Sequence, residues 1–186
     1  GDISTLKGHL EEAKKHYGKA IALGDPNFLA KMALKELPKP AKESSLPISL
    51  DEIYATPEDG LNRTGEVFAH YRMFERALSI YSMVLKLNPK HLMAMLNIGA
   101  AYYEMNNYNR AISTLEKILV NYPEHQHIEA HRFLLAKAYT QNGNWSAGTD
   151  NLGILFQLNP RYKEIVRTHP AFESLRNQEN YNKLFE

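Results

Sequence analysis

A spacing of 34 residues recurs at several marker positions of this chain. Small residues stand at Gly65, Gly99 and Ala136, which are 34 and 37 residues apart. Five marker columns share this pair of offsets, and a shared offset indicates an internal repeat. The four further columns are Phe68, Tyr102 and Tyr139; Phe74, Tyr108 and Trp145; Ala77, Ala111 and Gly148; and Pro89, Pro123 and Pro160.

Each unit of the repeat divides into two segments with helical hydrophobic periodicity. In the unit 92–125, Ile98 and Tyr102 share one helical face, and Leu115 and Ile118 share another. Polar turns separate the two segments of each unit. We expect Gly99 and Ala111 to lie where the two helices cross, because a large side chain there would force the helices apart. A proline at the end of each unit stops the second helix. The pattern therefore predicts helix pairs near 58–71 and 74–87, 92–105 and 108–121, and 129–142 and 145–158.

The pattern resembles the tetratricopeptide repeat, with small residues at positions eight and twenty, an aromatic residue at eleven and a proline at thirty-two. The resemblance covers 58–91, 92–125 and 129–162. It implies an all-α fold, a right-handed superhelical solenoid of antiparallel helix pairs. Two positions depart from the family pattern. The fourth position, often tryptophan, is Leu61, Met95 and Arg132 here, and Thr64 stands at the seventh position of the first unit, where leucine is usual.

The flanking segments are less regular. Residues 1–26 fit the back half of a repeat whose first helix is truncated, so we expect a fragment or processed form. Residues 27–57 form either a degenerate repeat or a flexible insertion, with a loop rich in proline and serine. Residues 163–186 are predicted to be capping helices, with Ile165 and Val166 pointing inward. This tail resembles the ends of many bacterial repeat proteins, which predicts a natural C-terminus near Glu186.

Composition excludes several classes of function. The formal net charge is +1, which favours neither nucleic acid nor a membrane surface as a partner. No apolar run approaches the roughly 18 residues of a spanning helix, so no membrane insertion is predicted. The absence of cysteine excludes disulfides and thiolate chemistry. It leaves the compartment unknown, with the cytoplasm slightly favoured.

The sequence has no pattern typical of an active site. It contains neither a glycine-rich phosphate loop nor a nucleophile elbow, so no catalytic residue, cofactor or enzymatic activity is predicted. His127 and His131 are four residues apart and could hold a metal with Glu124. We favour a polar connection instead and predict no metal site. The six aromatic markers are predicted to pack in the core rather than to stack on bases: Phe68, Tyr102, Tyr139, Phe74, Tyr108 and Trp145.

The resemblance implies that the first helix of each repeat lines a concave groove. We therefore predict a protein or peptide partner, bound in that groove by an interaction scaffold. The alternative is a self-assembling structural scaffold, so homo-oligomerisation stays open. Among the residues that clamp acidic chaperone tails in the family, only Asn97 matches. The candidate groove residues are Asn62, Arg63, Glu66, His70, Met93, Leu96, Asn97, Tyr103, Phe133, Lys137 and Gln141.

Overall fold

The computed structural model describes residues 57–186, and this part of the chain is helical, without strands. The predictions for 1–26 and for 27–57, apart from Pro57, fall outside the described residues. The all-helical fold and the expected helix pairs are confirmed. The helices are α1 Pro57–His70, α2 Phe74–Leu87, α3 Leu92–Glu104, α4 Tyr108–Asn121, α5 Ile128–Gln141, α6 Trp145–Leu158, α7 Tyr162–Thr168 and α8 Glu179–Asn182, with 3₁₀ helices at Pro170–Leu175 and Lys183–Phe185.

The turn inside each helix pair has the same backbone conformation. Arg72, Asn106 and Gly143 have φ angles of 59°, 58° and 79°. They occupy one column of the repeat, 34 and 37 residues apart. The residue that follows each of them donates its backbone N–H to the carbonyl oxygen five residues earlier, as Met73 does to Phe68 at 2.9 Å. This left-handed residue with a five-residue hydrogen bond ends the first helix and turns the chain into the second.

Small residues allow the two helices of a pair to approach each other closely. A Cβ atom on Gly65 would lie 2.4 Å from the Tyr81 ring, and one on Gly99 would lie 2.7 Å from a Leu115 methyl group. Tyr81 and Leu115 are buried, so neither side chain has room to move away. The marker glycines are therefore required by packing between α1 and α2 and between α3 and α4.

The chain divides into two compact units, Gly1–Ala94 and Met95–Glu186. The core of the second unit joins α5 and α6 to the C-terminal segment. Buried Leu152 and Leu155 of α6 pack with Val166, Phe172 and other C-terminal side chains. Residues 162–186 thus cover the apolar surface that the last helix pair would otherwise expose. Within residues 57–186, no helix has the length and apolar character needed to cross a membrane.

Several side chains differ from their expected placement. Tyr102, Tyr108 and Tyr139, expected in the core, are only partly buried. Val166 is buried, but Ile165 is 49% exposed. Neighbouring residues on a helix point about 100° apart, so a short helix cannot bury both against one surface. Trp145 is 44% exposed rather than packed in the core. It is the first residue of α6, where the chain has only just left the surface turn.

Candidate functional site

The candidate residues of the first unit lie mainly on α1. Asn62 is 5% exposed, and its Nδ2 donates to Glu66 Oε1 at 2.9 Å. Arg63 and Glu66 are half-buried, and exposed His70 packs edge-on against Tyr71. The candidates on α1 are thus polar side chains, and the Asn62 amide is hydrogen-bonded to Glu66 on the next turn of the same helix.

Three further candidates lie on the first two turns of α3. Met93 belongs to the first unit and is half-buried. Leu96, in the second unit, is only 8% exposed, and half-buried Asn97 is engaged by a neighbouring group. The burial of Leu96 makes it a packing residue with little surface to offer a ligand.

The remaining candidates of the second unit gather around Lys137. Its Nζ lies 4.4 Å from the centre of the Tyr103 ring and 5.9 Å from that of Phe133. The rings of Tyr103 and Tyr108 are 5.6 Å apart. We call this the Lys137 surface, formed by Tyr103, Tyr108, Phe133, Lys137 and, on the side of the C-terminal segment, His169. It places a cation against the faces of aromatic rings, an attractive arrangement.

The C-terminal segment supports one edge of this surface. Phe133 has ring contacts with Tyr162, His169 and Phe172, at centroid distances of 5.5, 5.4 and 5.7 Å. Gln141 Nε2 donates to the Ala171 carbonyl at 2.9 Å. Phe133 and Gln141 therefore both contact the C-terminal segment. Phe133 is half-buried there, whereas Gln141 stays exposed.

Burial changes the protonation chemistry of the Lys137 surface. Burial lowers the pKa of Lys137, and the Glu104 carboxylate partly offsets this. Burial, with Tyr108 and Glu104, raises the pKa of Tyr103 to about 12. Burial and the nearby Lys137 lower the pKa of His169. A half-desolvated ammonium gains more from a carboxylate partner than a fully hydrated one does.

No sequence pattern indicated His169 or the cleft beside it. An open cleft of about 570 Å³ lies between the α5–α6 turn and the 3₁₀ helix Pro170–Leu175, with Gln141, Trp145 and Glu173 in its lining. His169 and Glu173 lie outside the 34-residue period, so no marker column could indicate them. The His169-Pro170 pair was the one local signal, since such pairs favour a chain turn.

The histidines considered as metal ligands are used in other ways. His131 is buried, with Nδ1 2.8 Å from His125 Nε2 and Nε2 2.9 Å from the Leu115 carbonyl. His127 Nε2 contacts the Gln126 side chain. His127 and His131 therefore do not face a shared site. Across residues 57–186, no group of three or more His, Asp or Glu side chains is arranged to hold a metal ion.

Comparisons with known proteins agree with the helical fold. The model of the tetratricopeptide repeat matches residues 93–125. MamA from Desulfovibrio magneticus RS-1 is 18% identical with a TM-score of 0.58, over 95% of this chain and 89% of that one. A tetratricopeptide repeat protein from Parabacteroides merdae is 17% identical with a TM-score of 0.58, over 96% and 64%. MamA AMB-1 is 16% identical with a TM-score of 0.55, over 99% and 96%. Curated protein sequences gave no significant match.

The structural likenesses show the fold, and the matched repeat lies within the helix pairs that recur at 34 residues. Arrays of this kind present extended surfaces for other proteins. The period and the repeated turn extend the helix-pair pattern of the matched tetratricopeptide repeat, residues 93–125, to the helix pairs on either side of it.

Proposed function

We propose that this chain is a protein-interaction scaffold that binds a partner peptide or helix across the first helices of its repeats. The observation that carries the proposal is the Lys137 surface, where a half-buried ammonium lies 4.4 Å from an aromatic ring centre. Aromatic side chains are enriched among the residues that dominate binding energy. The surface therefore combines apolar area with one cation that can fix the orientation of a ligand.

The chemistry of the surface defines the ligand. Tyr103 and Tyr108 offer ring faces on which an apolar side chain of the partner can be buried. Lys137 offers a charge-assisted hydrogen bond to a carboxylate. The Tyr103 hydroxyl, whose pKa is raised to about 12, is protonated at neutral pH and can donate a hydrogen bond. The best ligand is thus a segment with an apolar and an acidic side chain close together.

Site-specific photo-cross-linking tests the proposal. A photoreactive amino acid at position 103 is expected to cross-link a partner protein from cells, whereas the same probe at Lys117, exposed on α4, is not. The cross-linked segment of the partner is then synthesised as a peptide and its affinity measured by calorimetry. Tyr103→Ala and Lys137→Met should each weaken binding by about tenfold or more, the effect of losing a central binding residue.

Lys117→Ala is the matched control, because it removes a lysine from a second helix of a repeat and should leave affinity unchanged. Lys137→Met keeps the apolar stem and removes the charge, so it separates the ion pair from packing. Equal affinity for wild type, Tyr103→Ala and Lys137→Met, with folding verified by circular dichroism, would show that the partner binds elsewhere.

A second candidate function is self-assembly through α6. Ile154 and Leu158 are 38% and 47% exposed and lie four residues apart, on the same face of the helix. Two exposed branched aliphatic side chains side by side favour burial against a second copy of the chain.

A further inference from the structure

The connection between α4 and α5 contains a hydrogen-bonded chain of histidines that peptide binding does not use. The His127 backbone N–H donates to His125 Nδ1 at 3.1 Å. His125 Nε2 lies 2.8 Å from His131 Nδ1, and His131 Nε2 lies 2.9 Å from the Leu115 carbonyl oxygen on α4. The two imidazole rings stack with centroids 5.0 Å apart. We call these four linked groups the histidine relay. It joins α4, the connection and α5 within the second unit.

The two ends of the histidine relay fix the protonation of both rings. The Leu115 carbonyl can only accept, so His131 Nε2 carries a proton and His131 Nδ1 is the acceptor. His125 Nε2 must then carry the proton that His131 Nδ1 accepts. His125 Nδ1 accepts from the His127 N–H, so it has no proton. Both imidazoles are therefore neutral in the folded chain, each with one donor and one acceptor nitrogen.

The surroundings of the relay oppose a positive charge. His125 is 9% exposed and His131 is 1% exposed. The groups that face them are cationic or can become so: His127 from the connection and Arg132 from α5. From α6, Asn151 presents an amide oxygen that holds Arg132 NH1 at 2.9 Å. The hydrogen bond to the α4 carbonyl favours charged His131 but is outweighed by burial and by His125.

We propose that the histidine relay is an acid-sensitive latch, which holds α5 and its preceding connection on α4 while both imidazoles are neutral and releases them when a proton is added. A proton on His131 Nδ1 would face the His125 Nε2–H. A proton on His125 Nδ1 would face the His127 N–H. Protonation of either nitrogen turns a donor–acceptor pair into two opposed donors, so at least one hydrogen bond is lost. The added positive charge also lies close to the positively charged Arg132 guanidinium, which repels it.

The direction of the pH dependence follows from the pKa values. Burial lowers the pKa of His125, and burial with the neighbouring His125 lowers that of His131 to about 4. An imidazole in the unfolded chain titrates near about 6.5. The stabilisation by the neutral relay is therefore complete above about pH 6.5 and is lost as the pH falls through about 4. Acid weakens the contact between the second and third repeats.

Titration of the full chain by NMR tests the latch directly. With ¹⁵N-labelled histidine at pH 7.5, both relay imidazoles should show a proton on Nε2 and none on Nδ1. On acidification, both should titrate below about 6.5. The backbone amides of His127 and Arg132 should shift with the same midpoint, and those of Ala77 and Val84 in the first unit should not. Ordinary titration midpoints, or titration without any change at the α4–α5 connection, would overturn the proposal.

A variant distinguishes the latch from ordinary acid denaturation. His131→Gln keeps an amide donor for Leu115 and an oxygen acceptor for His125 but cannot titrate. Between pH 7.5 and 4.5 the unfolding equilibrium constant of the wild type should rise roughly fifty- to a hundredfold more than that of His131→Gln. His70→Gln replaces an exposed histidine and should follow the wild type. Identical pH profiles for wild type and His131→Gln would refute the latch. If His131→Gln does not fold, the wild-type titration decides the question.

Discussion

At the scale of single residues, the turn inside each repeat depends on one backbone angle. Arg72, Asn106 and Gly143 all have positive φ, yet only the third is glycine. Non-glycine residues pay about 1–2 kcal/mol for this conformation. The side chains give partial compensation: Arg72 lies over the Phe74 ring at 5.4 Å, and Asn106 Oδ1 accepts from the Tyr108 hydroxyl at 2.7 Å.

Gly143→Ala should lower the free energy of unfolding by about 1 kcal/mol, measured by urea denaturation. A Cβ atom there meets nothing within 4 Å, so the whole effect comes from the φ of 79°. The matched control is Gly153→Ala in the middle of α6, where the nearest side-chain atom is 3.4 Å from the new Cβ. Alanine there should stabilise by up to about 1 kcal/mol through helix propensity. A shift of the same sign in both variants would contradict the left-handed conformation at 143.

At the scale of elements, each helix pair depends on its small residues. Ala111, on α4, is completely buried. The preceding helix, α3, packs closely against Leu115 of α4 because Gly99 has no side chain. The helices cannot separate to admit a larger side chain without opening the core between them.

Ala111→Leu should therefore destabilise the protein by roughly 1–3 kcal/mol through overpacking. Asn109→Leu, exposed in the first turn of the same helix, should cost much less, although it loses the hydrogen bond from Asn142 at 3.1 Å. Thermal melting of both variants gives the measurement. If the two melting temperatures fall equally, the register assigned to α4 is wrong.

At the scale of the whole molecule, the open question is whether copies of the chain associate. The exposed Ile154 and Leu158 pair on α6 is the surface on which the self-assembly candidate rests. Replacing both with lysine places two like charges where a second copy would be buried, and such a contact is strongly disfavoured.

Ile154→Lys with Leu158→Lys is expected to abolish any concentration-dependent increase in sedimentation coefficient seen for the wild type. Ser113→Lys with Gln126→Lys adds the same charge at two exposed polar positions that are not on α6 and should leave association unchanged. Sedimentation velocity over a hundredfold range of concentration gives the comparison. A wild type that sediments as a monomer throughout would remove self-assembly as a candidate function.

The candidate site was only partly predictable from the sequence. The period placed Tyr103, Phe133 and Lys137 on first helices of repeats, and the structure brings these three together. It buries Leu96 and ties Asn62 to Glu66, which the period alone could not indicate. Position in a repeat fixes the helical face of a residue, but exposure also depends on the size of the side chains packed around it.

The repeat, its helix pairs and their turns follow from the amino-acid sequence alone, because they depend on local periodicity and on neighbours within one 34-residue unit. The tertiary structure alone decided how the aperiodic C-terminal segment packs on Phe133 and Gln141. It also decided that His131 pairs with His125 rather than with His127. The physical reason is the same in both cases: which groups meet is set by packing between separate elements, and hydrogen-bond partners far apart in the chain have no fixed spacing.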